Sequence, residues 1–166
     1  MFCIDNIKPN DISKIEEILD QAFGIDRHSK AVYSLRAGVV ALSELSFAIR
    51  REGTIIASLQ FWPVVIRDRQ ADHDALLLGP IAVRQAWRGQ GIGLMLMDHG
   101  LNRAKELGHS RVILVGDESY YQKVGFCRRL AIGLDMPGPV DQRRLLAQEL
   151  VPGAMDGVKG MISRIK

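Results

Sequence analysis

Cysteine and aromatic residues are scarce in this chain, and long apolar runs are missing. Its two cysteines, Cys3 and Cys127, lie far apart in sequence. They cannot form a disulfide framework, and no partner stands at the spacing a zinc site uses, so the expectation is two buried or half-buried thiols and no metal. Aromatic residues make up 6% of the chain, too few for the stacking surfaces of nucleic-acid binders. The basic residues fall in pairs, Arg67 with Arg69, Arg84 with Arg88, Arg128 with Arg129 and Arg143 with Arg144, and the net charge is +3. Such a balance suits a small polyanion and argues against nucleic acid as a partner. No apolar stretch reaches the ~18 residues of a membrane span, and Met1-Phe2-Cys3-Ile4-Asp5 lacks the basic start and apolar middle of a signal peptide. A cytoplasmic protein with no membrane partner is expected.

What is present is ordinary globular composition, 47% hydrophobic and 25% charged over 166 residues, a length that suits one domain. The core is expected over 1–137, with a last strand and an irregular tail over 138–166.

The alternation over 2–7 predicts a first strand, ended by Lys8-Pro9-Asn10. Asp11 then serves as N-cap of a helix whose stripe is Ile12, Ile15, Ile18, Leu19, Ala22 and Phe23. A weaker helix covers 30–36, with Ala31, Val32 and Leu35 on one face. Runs at 46–51 and 54–66 flank Glu52-Gly53 and read as a hairpin, with Pro63 forcing an irregular or edge section. After a polar loop over 68–74, the apolar run 75–83, broken by Gly79-Pro80, reads as a buried strand with a kink or bulge.

Helical spacing takes over at 91–107, with Ile92, Met95, Leu96 and Ala104 inward and Gly108 as the stop. A strand at 111–115 follows, parallel to the previous one because strand, helix and strand form a right-handed crossover. A short helix at 118–124, a strand at 126–134 and a last strand at 145–151 complete the reading.

The stretch with chemical content is Val83-Arg84-Gln85-Ala86-Trp87-Arg88-Gly89-Gln90-Gly91-Ile92-Gly93, between a buried strand and a long helix. Alternate glycines allow a tight turn that gathers backbone N–H groups at a helix N-terminus, where the macrodipole favours a phosphate or pyrophosphate. A Walker A loop would need Lys-Ser or Lys-Thr where Ile92-Gly93-Leu94 stand. A dinucleotide fingerprint has a different third spacing and opens its fold.

Arg88-x-x-Gly91-x-Gly93 resembles the pyrophosphate loop of the GNAT superfamily of acyl-coenzyme A-dependent N-acetyltransferases. The likeness extends over 76–126 and includes Tyr121-Gln122-Lys123-Val124-Gly125-Phe126, similar to the family's Tyr-x-x-x-Gly-Phe. It implies a mixed α/β GNAT fold, a central sheet of six or seven strands with helices on both faces. Acetyl-CoA is the implied co-substrate, with its diphosphate on Arg88, Gly89, Gln90, Gly91, Ile92 and Gly93. The backbone of Ile81, Ala82 and Val83 is implied to pair with pantetheine and polarise the thioester.

By the same resemblance Tyr121 returns a proton to the departing thiolate, with Tyr120 the neighbouring alternative. The resemblance implies an acceptor that is a primary amine of a small molecule or peptide, which attacks the thioester directly and binds near the first two helices, the hairpin and 137–151. Homodimers are common in that fold. Two departures stand out: Leu114 occupies the place of a frequent Asn, and Leu77 that of a strand glutamate, which leaves Asp74, His73, Asp117 and Glu118 as substitute bases or plain loop residues. These departures also admit a non-catalytic CoA-binding or sensing module; a transferase of longer acyl groups is a further alternative. His28, His99 and His109 show no ligand spacing, and Trp62 and Trp87 read as packing residues near the acceptor and the loop.

Overall fold

The computed structural model describes residues 2–27 and 30–165; of the histidines, His28 lies outside them. The described residues form one mixed sheet of nine strands with path β1-β2-β3-β4-β6-β8, and β5, β7 and β9 join at its sides. The strands are β1 (Cys3–Asn6), β2 (Ser46–Arg51), β3 (Thr54–Arg67), β4 (Asp72–Leu78), β5 (Ala82–Val83), β6 (Arg111–Val115), β7 (Leu134–Asp135), β8 (Leu145–Glu149) and β9 (Gly160–Arg164). The helices are α1 (Ile12–Phe23), α2 (Ala31–Ser34), α3 (Ile92–Glu106) and α4 (Glu118–Tyr121). The strand count exceeds six or seven because the kinked strand is split into β4 and β5 and two short segments near the C-terminal end join the sheet.

Strand alternation places helices on both faces. Phe47, Ile49, Leu76, Leu78, Val112 and Leu114 pack with Ile92, Leu96, Met97 and Leu101 of α3. Ala48, Ile55 and Ala82 meet Ile15, Ile18 and Leu19 of α1, and Ala75, Leu77 and Ile113 meet Leu35. Burying each of the larger of these side chains, Val, Leu, Ile, Met or Phe, stabilises the fold by roughly 1.5–3 kcal/mol.

The hairpin forms where expected: Glu52 takes φ 52° and Gly53 φ 79°, the left-handed pair that a two-residue turn needs. Pro63, however, lies within a continuous β3, paired with Leu76. On its other side β2 starts with Ser46 opposite Gln60 and β9 finishes with Arg164 opposite Val64, so the missing N–H falls between two partner strands.

Several expectations need correction. Asp11 does stand at the N-cap position of α1, at the end of a 3-10 turn, but its carboxylate makes no cap bond to that helix: it accepts the Lys8 N–H at 2.8 Å and pairs with Arg50. Asp72 and His73 belong to β4, not to a loop. Met95 is exposed and Met97 buried, because α3 turns Gly93 and Gly100 inward along with its aliphatic residues. Over 126–134 only Cys127, in its bridge with Ala147, and Leu134, the first residue of β7, pair as strand. Arg128 bends the rest into a 3-10 turn, its N–H donating to Glu118 and its Nη1 to the Ala131 carbonyl. The tail is not irregular throughout: β9 pairs antiparallel with Val64, Val65, Ile66 and Arg67 of β3. Gly160 opens β9 at φ 128° with the Arg67 carbonyl so near that a Cβ would sit 2.1 Å from it.

Candidate active site

The site begins with a break in a strand. Leu78 faces Phe61 and Ala82 faces Ser58, so Gly79, Pro80 and Ile81 stand opposite only Leu59 and Gln60, a β-bulge. Gly79 donates its N–H to the Gln60 carbonyl at 2.9 Å and lies so close to Trp62 that a Cβ would sit 2.5 Å from the ring. On its other side β4 pairs with β6 only through Leu76–Val112 and Leu77–Ile113. Beyond that point β5 follows β3 while Leu114 and Val115 stay with β8, and the sheet opens.

Two cavities flank the opening. One, of about 560 Å³, is lined by Ile81, Val83, Trp87, Arg88, Gly89, Gly91, Ile92, Gly93 and Lys123 among others. Gly91 enters α3 at φ 77°, and the Met95 N–H is the first to find its helical acceptor, the Gly91 carbonyl. The N–H groups from Gly89 to Leu94 have no backbone acceptor among the described residues, which makes this an anion cradle. Arg88 closes the loop, its Nε donating to the Val83 carbonyl at 3.1 Å. Of the expected loop residues, the exposed Gln90 does not line the cavity, and the Ala82 side chain is buried beneath α1, leaving its backbone to act.

The second cavity, about 590 Å³, brings together residues from α1, the 24–36 segment, β4, β6, α4 and 139–144. The hairpin contributes no residue to this lining, and nothing in the sequence singles out Arg27, Tyr33, Arg36 or Asp141. Arg27, 1% exposed, donates from Nε to Asp20 at 3.0 Å and from Nη1 to the Tyr33 hydroxyl at 3.0 Å, and also pairs with Glu16. Burial opposes its charge, but these three partners outweigh that cost and hold its pKa above the ordinary arginine value. The arrangement ties the segment after α1 back onto that helix. Glu16 and Asp20, one turn apart on α1, are the one hint of it in the sequence.

Tyr120, Tyr121 and Phe23 line both cavities. Tyr121 packs its ring on Gly116 and lies edge-on to Phe126, with centroids 6.3 Å apart. Burial, with a smaller push from Tyr120, raises its phenol from the ordinary 10.0 to about 12, so it stays protonated at neutral pH. The Tyr120 hydroxyl hangs over Gly93, 2.9 Å from where a Cβ would stand, and that ring crosses Tyr121 at 5.0 Å.

The base candidates separate. Asp117 lies in the second cavity, 3.3 Å from Arg144. Glu118 accepts the Arg128 N–H at 2.7 Å, and His73 and Asp74 lie at the far end of β4, outside both cavities. Leu77 lines the second cavity where the family glutamate was sought. Trp62 sits in the core under Arg36, whereas Trp87 packs edge-on against Phe2 at 5.7 Å and also lines the loop cavity. His99 meets Phe47 edge-on, with ring centroids 4.8 Å apart.

The family model for the acetyltransferase (GNAT) family matches residues 12–130. The chain belongs to that family. It is 29% identical over 155 residues to YhbS of Escherichia coli (strain K12), an uncharacterized N-acetyltransferase, covering 93% of this chain and 90% of that protein. The crystal structure of E. coli YhbS in complex with CoA superposes with a TM-score of 0.83 at 26% identity, covering 99% of this chain and 89% of that one. A Brucella melitensis GNAT acetyltransferase solved with acetyl-CoA has the same fold, with a TM-score of 0.72 at 23% identity over 99% and 96% of the two chains. The residues matched by the family model include both the sheet opening at Gly79–Ile81 and the loop at 88–93. No described helix is long and apolar enough to cross a membrane.

Proposed function

We propose that this chain transfers an acetyl group from acetyl-CoA to a primary amine of a small molecule or peptide by direct attack. One observation carries the reading: two cavities meet at a break in the sheet, an anion cradle on one side and a titratable, partly apolar chamber on the other. The donor would lie in the smaller cavity, its diphosphate on the free N–H groups of Gly89, Gly91, Ile92 and Gly93 and on Arg88. Its pantetheine arm would run past Ile81, Ala82 and Val83, whose backbone groups would orient the thioester. Tyr121, protonated at the junction, would hand its proton to sulfur as the carbon–sulfur bond breaks.

With Leu77 apolar and Asp117 held by Arg144, the amine would lose its proton to water in the second cavity. The Leu77 position also favours a second reading, a CoA-binding module without turnover. The test is thiol release from acetyl-CoA and from longer acyl-CoAs across a panel of amines. Release with acetyl-CoA and an amine supports transfer, and saturable CoA binding with no release from any pair supports the module.

A further inference from the structure

The wall of the larger cavity carries more cations than it neutralises. Arg27, Lys30, Arg36 and Arg144 line it, against Asp117 and Asp141. Arg27 is engaged by Glu16, Asp20 and Tyr33, Arg144 by Asp117, and Asp141 pairs with Arg143 at 3.0 Å. Lys30 is exposed and lies over the Phe23 ring.

Arg36 is different. Its guanidinium lies 3.6 Å from the centre of Trp62 and 4.2 Å from that of Tyr33, while its Nε and Nη1 are shut off from water without a hydrogen-bond partner. No carboxylate among the described residues forms an ion pair with it. Burial lowers its pKa from the usual arginine value, yet a guanidinium stays charged at neutral pH. The aromatic faces and the Tyr33 side chain partly offset this desolvated cation, but they do not replace an anion. The remaining wall, with Phe23, Val32, Leu77, Val115 and Val140, is apolar.

We propose that the acceptor is an amino acid or a close analogue, with an apolar side group against this wall and a carboxylate paired with Arg36. The inference rests on the acyl-transfer reading, because it takes this cavity as the acceptor site. Before transfer the carboxylate balances the Arg36 charge and leaves the amine to face the opening between β5 and β6. No step of the transfer uses Arg36, which is a positioning and selecting residue.

The test compares phenylalanine with phenethylamine, which differ only in the carboxylate, by thiol release from acetyl-CoA. Phenylalanine is expected to have a kcat/KM about ten-fold higher or more, the scale of one ion pair worth ~1.4 kcal/mol. Arg36→Met should lower kcat/KM for phenylalanine, mainly through KM, far more than for phenethylamine, so that the preference disappears, and Arg36→Lys should restore part of it. Equal use of both amines, or an equal loss with both in Arg36→Met, overturns the proposal.

A second arm needs neither turnover nor a variant. Calorimetry of the unaltered protein with CoA bound, titrated with 3-phenylpropionate and with the uncharged 3-phenylpropanol, should give binding for the acid only, weakening as salt rises. Equal binding, or none for the acid, contradicts the proposal even if Arg36→Met does not fold. Thiol release with phenethylamine but no carboxylate preference leaves acyl transfer standing and removes this inference alone.

Discussion

The two cavities that meet at Tyr120 and Tyr121 are built in opposite ways. The smaller relies on main-chain groups from one continuous stretch, the N–H groups of 89–94 at the start of α3. The larger relies on side chains from segments that are distant in sequence, Arg27 and Arg36 from one, Asp117 and Tyr121 from another, Asp141 and Arg144 from a third. A backbone site needs glycines at fixed intervals and so leaves a contiguous signature, whereas a side-chain site can draw any residue from any loop. That is why the loop cavity, proposed for the donor, can be read from the sequence and the larger cavity, proposed for the acceptor, cannot.

The sharpest way to test this division is at the junction. Replacing Tyr121 by Phe removes a proton donor and little packing, so kcat should fall by about 10²–10⁴ while CoA affinity holds, as single-turnover kinetics with calorimetry would measure. Next in size, Arg88→Ala should weaken CoA binding by about ten-fold to a hundred-fold, the worth of a charge-assisted contact, and leave acceptor KM at saturating donor unchanged. An equal change in both constants would mean that the halves are not separable.

The pH profile is a subtler probe. Because the Tyr121 phenol is raised from 10.0 to about 12, kcat should show no alkaline fall below about pH 10. The same shift means that the folded state binds the more protons between those two values, so stability should decline as pH climbs from 10 to 12, as denaturant titrations would record. In Tyr121→Phe that decline should shrink. The smallest expected effect is remote from both cavities: Glu52→Asn relieves a left-handed side chain at φ 52° and should add up to about 0.5–1 kcal/mol in denaturant melts without changing turnover.

The same contrast governs how far the fold was legible. Glu52-Gly53, Gly79-Pro80 and the loop at 88–93 each announce a backbone event through residues that tolerate few alternatives, and the turn, the bulge and the helix start are where they point. α3 was placed well but phased towards Met95, because Gly93 and Gly100 occupy its buried face without any hydrophobic signal. β9 was missed because Ile162 is its one fully buried residue, and what recruits it is the edge of β3 left uncovered past the start of β2. Asp11 has the sequence context of a cap, yet Arg50, thirty-nine residues away, takes its carboxylate. At the site, Tyr121 and the loop came with a pattern; Arg36, whose environment depends on Trp62 and Tyr33, came with none.

The most direct measurement is the set of backbone amide shifts of the ¹⁵N-labelled protein as CoA is added. The account predicts that the largest changes fall on the amides of Gly89 to Leu94, with smaller ones at Ile81, Ala82 and Val83. Binding that leaves those loop amides unmoved, or shifts centred elsewhere, would contradict the assignment of this cradle to the diphosphate.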